Sequence, residues 1–208
     1  RYVQGIGSFT TFDEFLRLSY HGERWSSSTR VLVSTSENDF RYRNYDSKNF
    51  VTDENGQVID NYYPLQRNRN GAFRDIHVMQ EIYHTTRGGD RLSLAAWYMD
   101  SHRGLALLTS DRNSTREKRN SQDERTLRAV AGWDRLRGGL KLSAKAGYTY
   151  SDLRYLMESD PDGQGNFSPI TDARSRIHTF FAKAEAEYAL DEKWLFTANA
   201  AAHQHLSL

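Results

Sequence analysis

The 208-residue chain contains no cysteine, which excludes a disulfide framework and thiolate metal sites. Proline is almost missing too. Pro64, Pro161 and Pro169 are the three, each in a polar, loop-like stretch. Proline is confined to sheet edges and bulges, so its scarcity leaves long segments free to extend. An excess of one charge is also lacking: 28 Lys and Arg stand against 27 Asp and Glu, a net charge of +1. That balance argues against an electrostatic nucleic-acid binder. No apolar run approaches the roughly 18 residues of a membrane-spanning helix, which excludes helical spanning and leaves β-strand spanning open. Nor is there a GxSxG elbow, an HExxH pair, a P-loop or a dinucleotide fingerprint. The chain is therefore read as a non-enzyme, without a catalytic residue, cofactor or resident metal.

What is present is aromatic. Tyr, Phe and Trp make up 12% of a chain whose mean hydropathy is −0.79. Disordered chains are poor in aromatics, so disorder does not fit. The composition is too polar for a generous soluble core and too aromatic for a coil.

Strand periodicity accounts for both. From Leu140 to Tyr150, Leu140, Leu142, Ala144, Ala146, Tyr148 and Tyr150 fall on one face, and Lys141, Ser143, Lys145, Gly147 and Thr149 on the other. A helix would scatter these residues around its circumference. The pattern recurs over Arg176–Leu190, Trp194–Ala202, Leu127–Asp134, Leu92–Tyr98 and Leu16–Tyr20, with further strands at Thr29–Ser36 and Arg74–Thr85, about eight in all. Alanine favours helices, so Phe180–Leu190 admits an amphipathic helix. The alternating charges and matching neighbours favour a strand.

Connections alternate in length. Short ones are Glu23–Ser28, Arg87–Asp90, Arg137–Gly139 and Asp191–Lys193. Long polar ones are Asp39–Asn70, Gly104–Gln122 and Glu158–Ala173. Strict alternation sends every long loop from one end of the sheet, the plan of an outer-membrane barrel. On that plan the apolar face meets lipid, and Tyr148, Tyr150, Tyr188 and Trp194, near strand ends, form an aromatic girdle. A soluble sandwich core filled by the same aromatics is the competing reading. The opposite face carries Arg17, Lys141, Lys145, Lys183, Glu185 and Glu187. These line a wide lumen at low cost, and in a small barrel would have to pair with one another.

The stretch Thr29–Tyr45, TRVLVSTSENDFRYRNY, resembles a barrel strand running into an extracellular loop of TonB-dependent outer-membrane receptors. Within it, Ser36–Asn44 is similar to what Bacteroidetes-type receptors carry there. The stretch from Arg91, RLSLAAWYMDSHRG, resembles a following strand, and the likeness extends over the whole chain as consecutive hairpins. The vitamin B12 and siderophore receptor-like branch is the most similar. The resemblance implies an all-β, antiparallel, up-and-down transmembrane barrel of about 22 strands, with a plug domain and a TonB box. It implies active import of a scarce nutrient such as cobalamin or an iron-siderophore. Its implied partners are outer-membrane lipid and lipopolysaccharide, and TonB acting through the plug. Neither plug nor box is visible in residues 1–208, which begin at Arg1 and end without a terminal aromatic. The expectation is a middle slice of one barrel domain in the cell outer membrane. The alternatives are a self-contained small barrel with a structural or adhesion role, and a soluble all-β carbohydrate-binding module.

The long loop Asp39–Asn70 is the candidate ligand contact, through Arg41, Tyr42, Arg43, Tyr45, Tyr62 and Tyr63. Aromatic faces with guanidinium forks suit a large, polar, partly anionic ligand. A solvated loop contacting lipopolysaccharide is the other reading of the same residues. The basic run Arg112–Arg119 faces solvent or lipid phosphates. His203 and His205 share a strand face, read as polar lumen rather than metal site. Asp160–Asn166 has a faint calcium-loop look but lacks the closing bidentate Glu, so it reads as a plain turn.

Overall fold

A computed structural model describes residues 1–106, 119–159 and 162–208, and no helix occurs among the described residues. Alternation with few prolines gives strands β1 (Tyr2–Gly7), β2 (Thr11–His21) and β3 (Trp25–Ser36). Four short strands follow: β4 (Arg41–Arg43), β5 (Asn49–Thr52), β6 (Val58–Tyr62) and β7 (Leu65–Arg67). The rest are β8 (Phe73–Thr85), β9 (Arg91–Gly104), β10 (Ser121–Arg137), β11 (Leu140–Glu158), β12 (Pro169–Ala189) and β13 (Leu195–Ser207). The fold is all-β. Nine strands form one antiparallel sheet in the order β1-β2-β3-β8-β9-β10-β11-β12-β13, each beside its chain neighbour once the β4–β7 excursion is set aside. The sheet is open, with β1 and β13 as its edges.

The β2–β3, β8–β9, β10–β11 and β12–β13 turns lie at one end of the sheet, as the connection lengths imply. Gly138 and Gly139 form a two-residue turn with φ of 56° and 80° between the paired Arg137 and Leu140, the geometry of a type I′ hairpin. Asp191 caps the β12–β13 turn by accepting the Lys193 and Trp194 amides.

Three expectations need correction. The sheet has nine strands rather than about eight, because β1 alternates too weakly (Tyr-Val-Gln-Gly-Ile-Gly) to stand out. Its turn to β2, through Phe9 and Thr10 at φ of 61° and 57°, is a short connection at the long-loop end. Second, Asp39–Asn70 is not a plain polar loop: β4 pairs with β7 and β5 with β6, so the segment is a jointed β-arm. Third, Tyr148 and Tyr150 lie mid-strand, since β11 runs on to Glu158. They mark the end of the apolar stretch rather than of the strand.

Registers place like residues in phase. Successive rows on one face read Leu94, Ala131, Ala146, Ala182, Ala202 and then Leu92, Trp133, Ala144, Ala184, Ala200. Tyr98, Leu127, Tyr150 and His178 border these rows toward the long loops, and Leu140, Tyr188 and Phe196 toward the tight turns. On the opposite face, charges meet in pairs: Lys141 with Glu187 at 3.1 Å, Lys183 with Glu185 at 2.5 Å, and Arg30 with Glu81 at 2.7 Å.

Gly147 sits on that polar face beneath Phe181, whose ring occupies the space a Cβ would need. Gly147→Val is expected to destabilise the sheet by about 1–3 kcal/mol through overpacking. Phe181→Ala in the same chain should recover much of that loss. Urea unfolding of the two single variants and the double variant measures the coupling, and strictly additive losses would contradict the contact.

Candidate functional site

Asparagines anchor the arm at the long-loop rim. Asn38 (φ 51°) donates through Nδ2 to the Gly71 carbonyl at 3.2 Å, and Asn68 donates to the Asn38 carbonyl at 2.8 Å. Asn70 (φ 55°) reaches the neighbouring connection, donating to the carbonyls of Leu105 at 2.9 Å and Asn120 at 2.7 Å. Asn120 in turn accepts the Glu158 amide at 2.8 Å, and buried Glu158 receives the Arg119 amide and guanidinium. Short amide side chains both tolerate positive φ and bond to backbone, which suits them to this role. Three connections are thereby stitched at one rim.

The predicted ligand residues all lie on the arm. Arg41 and Arg43 project from one face of β4, where Arg41 opposes Arg67 and Arg43 opposes Leu65. Arg67 is paired with Asp39. Tyr42 lies on the other face, its hydroxyl donating to Gln66 Oε1 at 3.1 Å. Tyr45 and Tyr63 come together with ring centroids 5.1 Å apart. Tyr62, half-exposed on β6, accepts Nδ2–H of Asn49 at 3.3 Å. The arm thus gathers a tyrosine pair and an exposed guanidinium pair, with Tyr42 turned away from the guanidiniums. Buried Asn44 holds the joint: its amide N donates to the Pro64 carbonyl, its Nδ2 to Gln66, and its Oδ1 accepts the Asp46 amide.

A second charged feature escaped the sequence reading. Directly beyond the Tyr98–Leu127–Tyr150–His178 row, on the same face, strands β8 to β12 carry Ile76, Asp100, Arg125, Asp152 and Arg176. The next row is Arg74, His102, Asp123, Arg154 and Arg174. Arg174 grips Asp152 with two hydrogen bonds of 2.8 and 2.5 Å, and Arg154 grips Asp172 at 2.8 and 2.7 Å. Asp100 takes Arg125 at 3.0 Å and Arg74 at 3.3 Å. A concavity of about 300 Å³ opens among Asp123, Arg125, Asp152, Arg154 and Arg174. The signal lies in charges at i, i+2 that continue the alternation beyond Tyr98, Leu127, Tyr150 and His178 on β9 to β12.

The remaining candidates resolve locally. His203 and His205 stack edge to face at 4.2 Å, and His205 Nδ1 shares a hydrogen bond with Thr179. Asp160 and Pro161 lie outside the described residues, as do residues 112–118 of the basic run. Asp162 closes the turn by accepting the Gln164 and Asn166 amides and Asn166 Nδ2, which lowers its carboxyl below the ordinary value.

No protein-family model matches the chain, and no curated protein matches it.

Proposed function

We propose that this sheet is part of the wall of an outer-membrane β-barrel of the TonB-dependent receptor kind, which binds a scarce nutrient such as cobalamin or an iron-siderophore and imports it. The observation that carries the reading is the sheet's double asymmetry. One face is apolar in phase across five strands, the other holds paired charges, and tight turns at one end oppose the stitched connections at the other. From Leu140 to Tyr150 the apolar stretch covers ten residue steps. At about 3.3 Å per residue and a tilt near 40°, that spans about 25 Å, the height of a barrel's lipid-facing band.

Several features favour this over the alternatives. The open sheet favours a portion of a larger barrel over a small barrel closed by these strands alone. Phe180, Tyr188 and Phe196 stay 44%, 43% and 54% exposed on the apolar face, which suits lipid better than the water around a soluble module. In the proposed import cycle, Arg41, Arg43, Tyr45 and Tyr63 on the arm capture the ligand. A plug gates the lumen, and TonB acts through that plug. The rim asparagines hold the arm at the mouth.

Two experiments test this. In lipid, Ala146→Arg on the apolar face should cost about 2–4 kcal/mol of folding stability, as for a cation at the bilayer midplane. Lys145→Ala on the other face should cost far less, and equal costs would reject the assignment of faces. Arg41→Ala with Arg43→Ala should weaken binding of cyanocobalamin or a ferric siderophore by roughly tenfold or more, the loss expected of charge-assisted hydrogen bonds. Assembly should be intact, and unchanged affinity for every ligand bound by the parent would remove these two residues from the site.

A further inference from the structure

On the polar face, β8 and β9 bring four soft or aromatic side chains into one block. His77 lies directly opposite Met99, and Met79 directly opposite Trp97. Residues so placed have Cβ atoms about 5 Å apart, and the diagonal from Met79 to Met99, about 7–8 Å, stays within reach of long side chains. Two of the chain's three methionines therefore meet here. All four residues are half-buried, and among the described residues no other element packs over this face. Their neighbours on the same face are polar: Asp75 and Glu81 flank them on β8, and Ser101 follows Met99 on β9. Filling a core does not account for methionines in such a place. Their unbranched arms are flexible enough to converge on a common point.

The donor atoms are open. Neither His77 nor Met99 makes a hydrogen bond among the described residues, and the His77 ring lies against Trp97 at 5.9 Å with planes 14° apart. Met79 Sδ accepts one weak bond, from Arg30 Nη1 at 3.4 Å, while Arg30 Nη2 pairs with Glu81 at 2.7 Å. The arginine nearest the sulfur is thus neutralised by its own carboxylate. Arg128 lies 4.7 Å from the Trp97 ring centroid and reaches that ring from β10, on the opposite side of β9 from His77 and Met79. One imidazole and two thioethers make a neutral, soft donor set. Such ligands favour a soft monovalent ion, Cu(I) or Ag(I), over oxygen-seeking ions such as Mg(II) and Ca(II). A monovalent ion also brings only one charge toward Arg30 and Arg128. Among the described residues no group of three or more His, Cys, Asp and Glu side chains is placed to hold a metal, so the thioethers are what set this block apart. We infer that His77, Met79 and Met99 bind one Cu(I) or Ag(I) ion, with the π face of Trp97 as its neighbour. The inference needs only the register of β8 and β9, so it stands apart from the membrane and import readings.

The test uses the whole chain folded in detergent micelles, its methionine methyls labelled with carbon-13, titrated with silver nitrate in chloride-free buffer. The methyls of Met79 and Met99 should shift together and saturate at one equivalent. Met157, near the end of β11, is the internal control and should stay still. Met79→Leu with Met99→Leu conserves side-chain volume and so protects the fold. That double variant should weaken silver binding by more than about tenfold, as should His77→Ala, since losing even an outer-shell partner of a metal ligand costs about that much. Competition against a Cu(I)-chelating dye should show the same losses for Cu(I), with the strand content of each variant checked by circular dichroism. Equal shifts at all three methionines mean indiscriminate thioether binding and overturn the site. An affinity unchanged in the methionine double variant also overturns it. So does loss of binding in His203→Ala with His205→Ala, which would place the ion on β13 instead. Methyls that do not move in the folded chain overturn the inference and leave the membrane and import readings standing.

Discussion

The pairing register of β9 to β13 is the constraint on which the other features depend. Side chains alternate with a period of two, so a slip of one residue would turn every alanine of the apolar face toward the lysines and glutamates of the other. The two-glycine turn at Gly138–Gly139 holds the β10–β11 hairpin in phase, because both residues must adopt a left-handed backbone that other residues resist. From that hairpin the register passes outward, through Leu92 and Leu94 on one side and Ala184 and Ala200 on the other. Small side chains in the middle and rings at the borders follow from the same alignment.

The sheet's two ends solve different problems. Toward the tight turns, glycines and Asp191 close the chain in a few residues. Toward the long connections, the strands outlast the apolar band, and their continued alternation delivers charge to a face that was apolar two residues earlier. In the first charged row neighbouring strands supply opposite signs, so Asp100 and Asp152 are neutralised by arginines lying over them. Such half-exposed pairs contribute modestly to stability. Their larger consequence is spatial: a layer of paired charges fixed at a defined height above the rings. The stitch from Asn38 and Asn70 to Asn120 and Glu158 acts on the same end and joins the arm to the strands behind it.

Much of this was legible in the residues. Alternation marked eight of the nine sheet strands, and glycine-bearing or aspartate-bearing turns marked the end where they gather. Both signs of charge were evident on the polar face, but which lysine meets which glutamate came from the register. β1 escaped because two glycines in six residues dilute its pattern. The arm's hairpins escaped because strands of three to five residues carry too few positions for a period to emerge, and their pairing rests on buried Asn44 and on backbone bonds such as Asn68 to Phe40. Arg41, Tyr42, Arg43, Tyr45, Tyr62 and Tyr63 share one segment of the chain, but their division between the two faces of the arm depends on a register that composition does not encode.

Local chemistry alone decides that this chain forms extended, two-faced strands and where it turns, because alternation and left-handed turn positions act over a few neighbouring residues. Which charges meet was left to the sheet. Asp152 and Arg174 are separated by 22 residues, and Asn70 and Asn120 by 50. Their encounters arise from register between strands, which sums many weak cross-strand preferences. The polar composition and abundant aromatics belong together once the strands are aligned: rings border the apolar band, paired charges cover the other face, and arginines top the rows beyond it.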